Sequence, residues 1–147
     1  MTTIRAMSID DYDAVIKLLS DTPGVSLRDA DSREATARYL TRNPGLSFVA
    51  LDDSDPGKLK GCIMSGHDGR RGYLQHLAVL PAYRRQGVGR MLVNQCIDAL
   101  KRLGINKSHI DVFTENEMGC QFWVRQGWKL RDDIVRYSYV ASGNVNA

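Results

Sequence analysis

The sequence predicts an α/β (α+β) domain: a mixed β-sheet with helices on its faces. Three observations carry this reading. An apolar run, Leu74 to Leu80, halts at Pro81 and leads through a basic turn into residues whose apolar positions, Val88, Met91, Leu92, Cys96, Ala99, Leu100 and Leu103, share one helix face. A further strand, Lys107–Thr114, follows that helix, and neighbouring strands joined through a helix must run parallel. The strands before it are joined by short turns and are expected to be antiparallel.

Element by element, Thr3–Ala6 is a short strand. Ser8 then precedes Ile9, Tyr12, Val15, Ile16 and Leu19, with Asp10 and Asp11 in the first turn, which is the pattern of an N-capped amphipathic helix. After the break at Thr22-Pro-Gly24, the stretch Asp31–Leu40 reads as a second helix, stopped by Asn43-Pro-Gly45. Leu46–Leu51, Leu59–His67 and Tyr73–Leu80 are strands, separated by Asp52–Gly57 and by the hairpin loop Asp68–Gly72. Gly104 ends the long helix, Lys107–Thr114 is a strand, and Glu117–Gln126 is a helix ended by Gly127. Trp128–Arg131 and Ile134–Val140 complete the order β-α-α-β-β-β-α-β-α-β-β. One domain is expected over residues 1–141, with 142–147 a small, polar, fraying tail.

The turn between strand and helix carries the chemistry. It contains Arg84-x-x-Gly87-x-Gly89, with Arg85 and Arg90 adding charge. The first turn of a helix has N–H groups without intrahelical partners, and glycine lets a bulky anion come close to the backbone. Pyrophosphate binding at a helix N-terminus fits these residues, as does a plain tight turn with solvated arginines. A dinucleotide fingerprint would need a third glycine where Leu92 stands, and a P-loop would need Gly-Lys-[Ser/Thr].

Composition narrows the classes. At 147 residues and 43% apolar, the chain is long enough for one real core. It contains no apolar run of the roughly 18 residues that span a membrane. No signal peptide is visible at Met1–Ala6. Cys62, Cys96 and Cys120 are an odd, scattered set, so neither a disulfide framework nor a metal site is indicated, and a cytoplasmic setting is the simplest. A net charge of +3 is too mild to argue for nucleic acid.

With these elements in this order, the chain resembles the GNAT superfamily of acyl-CoA-dependent N-acetyltransferases. The resemblance rests on Leu77-Ala-Val-x-Pro81, on Arg84-x-x-Gly87-x-Gly89-x-x-Leu92, and on Asn116-x-x-Gly119-x-x-Phe122-Trp-x-x-x-Gly127-Trp128. It implies a single-domain sheet that splays beside the Tyr73–Leu80 strand. It also implies that the backbone of Leu77, Ala78 and Val79 pairs with the pantetheine arm of acetyl-CoA, a co-substrate needing no metal. The pyrophosphate would lie on Arg84, Arg85, Gln86, Gly87, Val88, Gly89 and Arg90. Asn116 matches an asparagine that contacts the cofactor in the family, and it is equally suited to cap the helix at Glu117.

The reaction the resemblance implies is acetyl transfer to a primary amine of a small molecule or protein, by direct attack in a ternary complex. The partners are then acetyl-CoA and the amine acceptor, with no nucleic acid or membrane, and a homodimer stays open. Trp123 stands where the family often has a tyrosine suited to protonate the leaving thiolate. Indole cannot serve as a practical acid, so Trp123 is read as a positioning residue near the thioester or a core aromatic. Asp111 is the candidate base, five residues before Asn116 where one branch of the family has a glutamate; an aspartate paired with a nearby arginine is the plainer alternative. His76 points to the face opposite Tyr73 and Gln75 by strand alternation, and reads as a half-buried histidine with a satisfied ring. The missing tyrosine motivates a second hypothesis, a non-catalytic acyl-CoA-binding module, and the arginine-rich turn a third, a nucleotide-phosphate binder.

Overall fold

Four antiparallel strands and one parallel strand form a five-stranded sheet in the order β1-β2-β3-β4-β5. The computed structural model describes residues 1–147, the side chain of residue 56 excepted. The strands are β1 (Thr2–Ala6), β2 (Phe48–Asp52), β3 (Asp55–His67), β4 (Gly72–Val79) and β5 (Ser108–Ile110). The helices are α1 (Tyr12–Ser20), α2 (Arg33–Arg42), α3 (Val88–Arg102) and α4 (Glu117–Arg125).

Local chemistry sets the helix starts. A short 3-10 turn, Ile9–Asp11, leads into α1, and the Asp11 carboxylate accepts from the Ser8 N–H at 2.9 Å while also pairing with Arg5 at 2.8 Å. A second such turn, Asp29–Asp31, precedes α2, whose cap is Ser32: the Ala35 N–H donates to its hydroxyl at 3.2 Å. Asn116 caps α4, its side-chain oxygen accepting from the Gly119 N–H at 3.0 Å.

Each face of the sheet has its own core. On one side α3 lays Val88, Leu92, Cys96 and Leu100 against Phe48, Ile63 and Leu74, with Trp123 of α4 completing the layer. On the other, Val15, Leu18 and Leu19 of α1 pack on Val49, Cys62 and Ala78, with Tyr39 and Leu40 of α2 at the margin. A mixed sheet covered by helices on both faces is thus the observed architecture.

The strands depart from expectation in two places. The pairing of β4 with β5 covers only Gly72↔Ser108, Tyr73↔His109 and Leu74↔Ile110. Beyond that the two strands part, and the expected Lys107–Thr114 strand shortens to three residues. The strands expected over Trp128–Arg131 and Ile134–Val140 are not formed: no residue after α4 joins the sheet, and Leu130, Val135, Tyr137 and Tyr139 are exposed. An alternating sequence makes a strand only where a partner edge meets it, and β5 offers three residues of edge. The tail instead turns back toward the 3-10 turn before α2, where Asn144 and Asn146 donate side-chain N–H groups to the Asp29 carboxylate.

Candidate active site

The parting of β4 and β5 opens a cleft of about 1480 Å³ that runs from the α2–β3 side to the start of α3. The wall of β4 holds its most telling backbone. Leu80 donates its N–H to the Lys60 carbonyl at 2.8 Å on β3. Alternation over this regular end of β4 therefore turns the amide of Val79 away from β3 and into the cleft. The Ala78 backbone before it faces β3, and its side chain is buried against α1. The Val79 carbonyl accepts from the Arg84 Nε at 3.2 Å, which braces the following turn against the strand. The Val79 N–H remains, and a buried strand amide needs a partner.

That wall leads straight to the start of α3. Arg85 and Gly87 both have left-handed backbone, with φ of 64° and 79°. The turn thereby presents its amides outward. The N–H groups of Val88, Gly89 and Arg90 have no backbone acceptor among the described residues, and Met91, bonded to the Gly87 carbonyl at 3.0 Å, is the first that does. Gly89 packs closely under α4: a Cβ there would lie 3.3 Å from the Phe122 ring, tighter than an ordinary contact. Gln86 turns its amide back to the Ala82 carbonyl at 3.4 Å, while Arg85 and Arg90 stay exposed. A helix mouth with free amides, flanked by arginines, is suited to a phosphate group.

The opposite wall is built by α4 and the chain leading to it. Trp123 is buried, edge-on to Phe122 at 5.2 Å and to Trp128 at 4.8 Å between ring centroids. Asn116 caps α4 and is also touched across the cleft by the loop after α1: a Cβ on Gly24 would lie 2.7 Å from its side-chain nitrogen. That loop, Thr22 to Val25, therefore bridges the two walls, a contact with no signal in the sequence. Asp111 lines the cleft but is 70% exposed and paired with Arg136 at 2.9 Å. The plainer alternative for Asp111, an aspartate held by an arginine, is the arrangement found; the arginine comes from the Ile134–Val140 segment, which spacing alone did not connect to it.

His76 is the residue that alternation misplaced. Between Cys62↔Ala78 and Met64↔Gln75 the β3–β4 register slips, so His76 and Leu77 together face Ile63. His76 takes a φ of 54° in this bulge, rare for a residue with a Cβ. Its ring reaches the α1–α2 side, where Nε2 lies 2.6 Å from Asp31 Oδ1. It also lines the cleft, together with Tyr73 and Gln75.

A splayed sheet whose open strand edge runs into an open helix mouth is an arrangement suited to a long ligand that carries phosphates. The model of the Acetyltransferase (GNAT) family matches residues 12–128, and the chain belongs to that family. It is 29% identical over 133 residues to an acetyltransferase of Sodalis glossinidius, covering 90% of each chain. It is 30% identical over 114 residues to N-alpha-acetyltransferase 30 of Schizosaccharomyces pombe, covering 73% of this chain and 76% of that one. Among solved structures, the PaiA N-acetyltransferase of Thermoplasma acidophilum in complex with coenzyme A superposes with a TM-score of 0.78 at 23% identity, covering 90% of this chain and 92% of that one. The protein is thus an N-acetyltransferase that takes its acetyl group from acetyl-CoA.

Proposed function

We propose that the chain acetylates a primary amine by direct attack within a ternary complex. The observation that carries this reading is the strand amide of Val79, turned into the cleft, leading to the unpaired amides of Val88, Gly89 and Arg90 at the start of α3. Pantetheine has two amides and would extend along β4, with the Val79 N–H and the Leu77 backbone as its partners and Ala78 as a packed spacer. The pyrophosphate would sit on the first turn of α3, within reach of Arg84, Arg85, Gln86 and Arg90, with Gly87 setting the turn. This direction puts the thioester near the middle of the cleft, between His76 and the wall carrying Asn116 and Trp123.

Trp123 holds that wall by packing. A thiolate can leave unprotonated and take its proton from water, so the place of the usual tyrosine needs no acid. Asp111 sits toward the open end of the cleft and, bonded to Arg136, is assigned to shaping the charge met by an incoming ammonium. Both a protein α-amine, as the name of the S. pombe relative suggests, and a small-molecule amine fit an open-ended cleft. Three free cysteines, two of them buried, fit a reducing compartment such as the cytoplasm.

The test is an acceptor panel of peptides with free N-termini, polyamines and amino sugars, scored by release of CoA thiol. Amine-dependent release is expected from at least one class. Tight acetyl-CoA binding with no release from any class would sink the catalytic reading.

A further inference from the structure

We propose that His76 is the general base of this site and that Asp31 is its positioning residue. The assignment rests on the acetyl-transfer reading above. Asp31 is fixed before the histidine meets it. Its Oδ2 accepts from the Arg28 N–H at 2.8 Å, and its carbonyl accepts from the Tyr12 hydroxyl at 2.6 Å. Oδ1 is left for His76 Nε2, and both side chains are less than one-fifth exposed. A carboxylate only accepts, so Nε2 carries the hydrogen and, in the neutral ring, Nδ1 carries the lone pair. Nδ1 has no partner among the described residues, yet no buried side-chain nitrogen or oxygen lacks one. Nδ1 is therefore open to solvent, and the residue lines the cleft.

Position completes the case. His76 directly precedes Leu77, where the proposed pantetheine line begins, so the residue stands at the thioester end of that line and lines the cleft there. The bulge that brings it there places a side chain with a Cβ at a φ of 54°, and such strain tends to be kept where it serves a site. The carboxylate that competes for the role, Asp111, is occupied by Arg136.

The step balances without any further reagent. The acceptor ammonium gives one proton to Nδ1, and the imidazolium is held by Asp31. The freed nitrogen lone pair attacks the thioester carbonyl, a C–N bond forms, and the C–S bond breaks with its electron pair leaving on sulfur. The second proton of the new amide nitrogen passes to the thiolate, directly or through water, giving CoA thiol. The imidazolium then returns its proton to solvent.

The experiment compares wild type with His76→Asn, since asparagine tolerates a left-handed φ and is not a base. With an alkylammonium acceptor near neutral pH, turnover is expected to fall by about 10²–10⁴-fold while the thermal shift produced by acetyl-CoA stays the same. With acceptors of low basicity, which arrive already neutral, the deficit is expected to narrow to a few-fold. His76→Ala is expected to regain rate on addition of imidazole. Asp31→Ala is expected to show a smaller deficit with the same dependence on acceptor basicity, which a purely structural tie would not produce. Wild-type turnover in His76→Asn, or a deficit that is equal for all acceptors and not rescued by imidazole, overturns this assignment alone. A wild type that releases no thiol with any amine overturns it together with the proposed function.

Discussion

Gly87→Ala isolates what the turn before α3 contributes to holding acetyl-CoA. Gly87 has φ of 79° and ψ of 9°, and a Cβ built on it meets nothing within 4 Å. The substitution therefore adds no clash, only the cost of a left-handed backbone, about 1–2 kcal/mol for a residue with a Cβ. Alanine also removes freedom from the unfolded chain, which offsets about 0.4–1 kcal/mol of that. The turn is exposed, and the bonds beside Gly87 are few: Arg84 Nε to the Val79 carbonyl, Gln86 to the Ala82 carbonyl and the Met91 N–H to the Gly87 carbonyl at 3.0 Å. Free of ligand, it can relax out of the strained region, so the cost falls on binding, where the amides must be brought back into place. Affinity for CoA should drop by about tenfold, the equivalent of 1.4 kcal/mol. Calorimetric titration of CoA into both proteins measures it directly. The control is Gly45→Ala, with φ of 73° and equally open surroundings, but at the end of α2 and away from the turn. It should lower thermal stability while leaving CoA affinity unchanged. Equal CoA affinity in wild type and Gly87→Ala would refute the claim that this turn presents amides to the cofactor.

Three further outcomes follow from packing and charge. Trp123→Ala should destabilise the fold by about 3–5 kcal/mol, the range for truncating a buried aromatic, whereas Trp123→Phe should retain most of the stability; denaturant titration decides. Burial pushes the Cys62 and Cys96 thiols up to about 12, so only Cys120 should react quickly with a disulfide reagent in the native state, the other two appearing on unfolding. Arg5, by its hydrogen bonds, holds the Asp11 carboxyl below its ordinary value, so this pair stabilises the fold above the unfolded carboxyl range and the benefit fades as pH falls through the lowered value. Arg5→Ala should then raise the midpoint of acid unfolding followed by circular dichroism, and an unchanged midpoint would count against the pair.

Much of this architecture was legible because it is written in local patterns. The helix face from Val88 to Leu100, the cap at Asn116, and the glycine turn each depend on residues a few positions apart. The cleft wall was legible for the same reason, since a strand that stops at Pro81 and feeds a glycine turn brings its free amides along with it. What escaped depends on partners far along the chain. The strand patterns after Gly127 are real in sequence but find no edge to pair with, because β5 has already left β4 after Ile110. Asp111 gains Arg136 across 25 residues, and Asn116 meets Gly24 from the other end of the domain. His76 is the sharpest case. Alternation is a rule about regular strands, and a single extra residue facing Ile63 reverses it from that point on. No pattern of side chains in Gln75-His-Leu77 announces the slip, and the carboxylate that the histidine meets there, Asp31, comes from 45 residues away. The same slip that makes the residue unreadable in sequence sets a histidine beside the strand amides. A bulge at this point is therefore both where reading by alternation fails and where the fold can place a base next to a bound thioester.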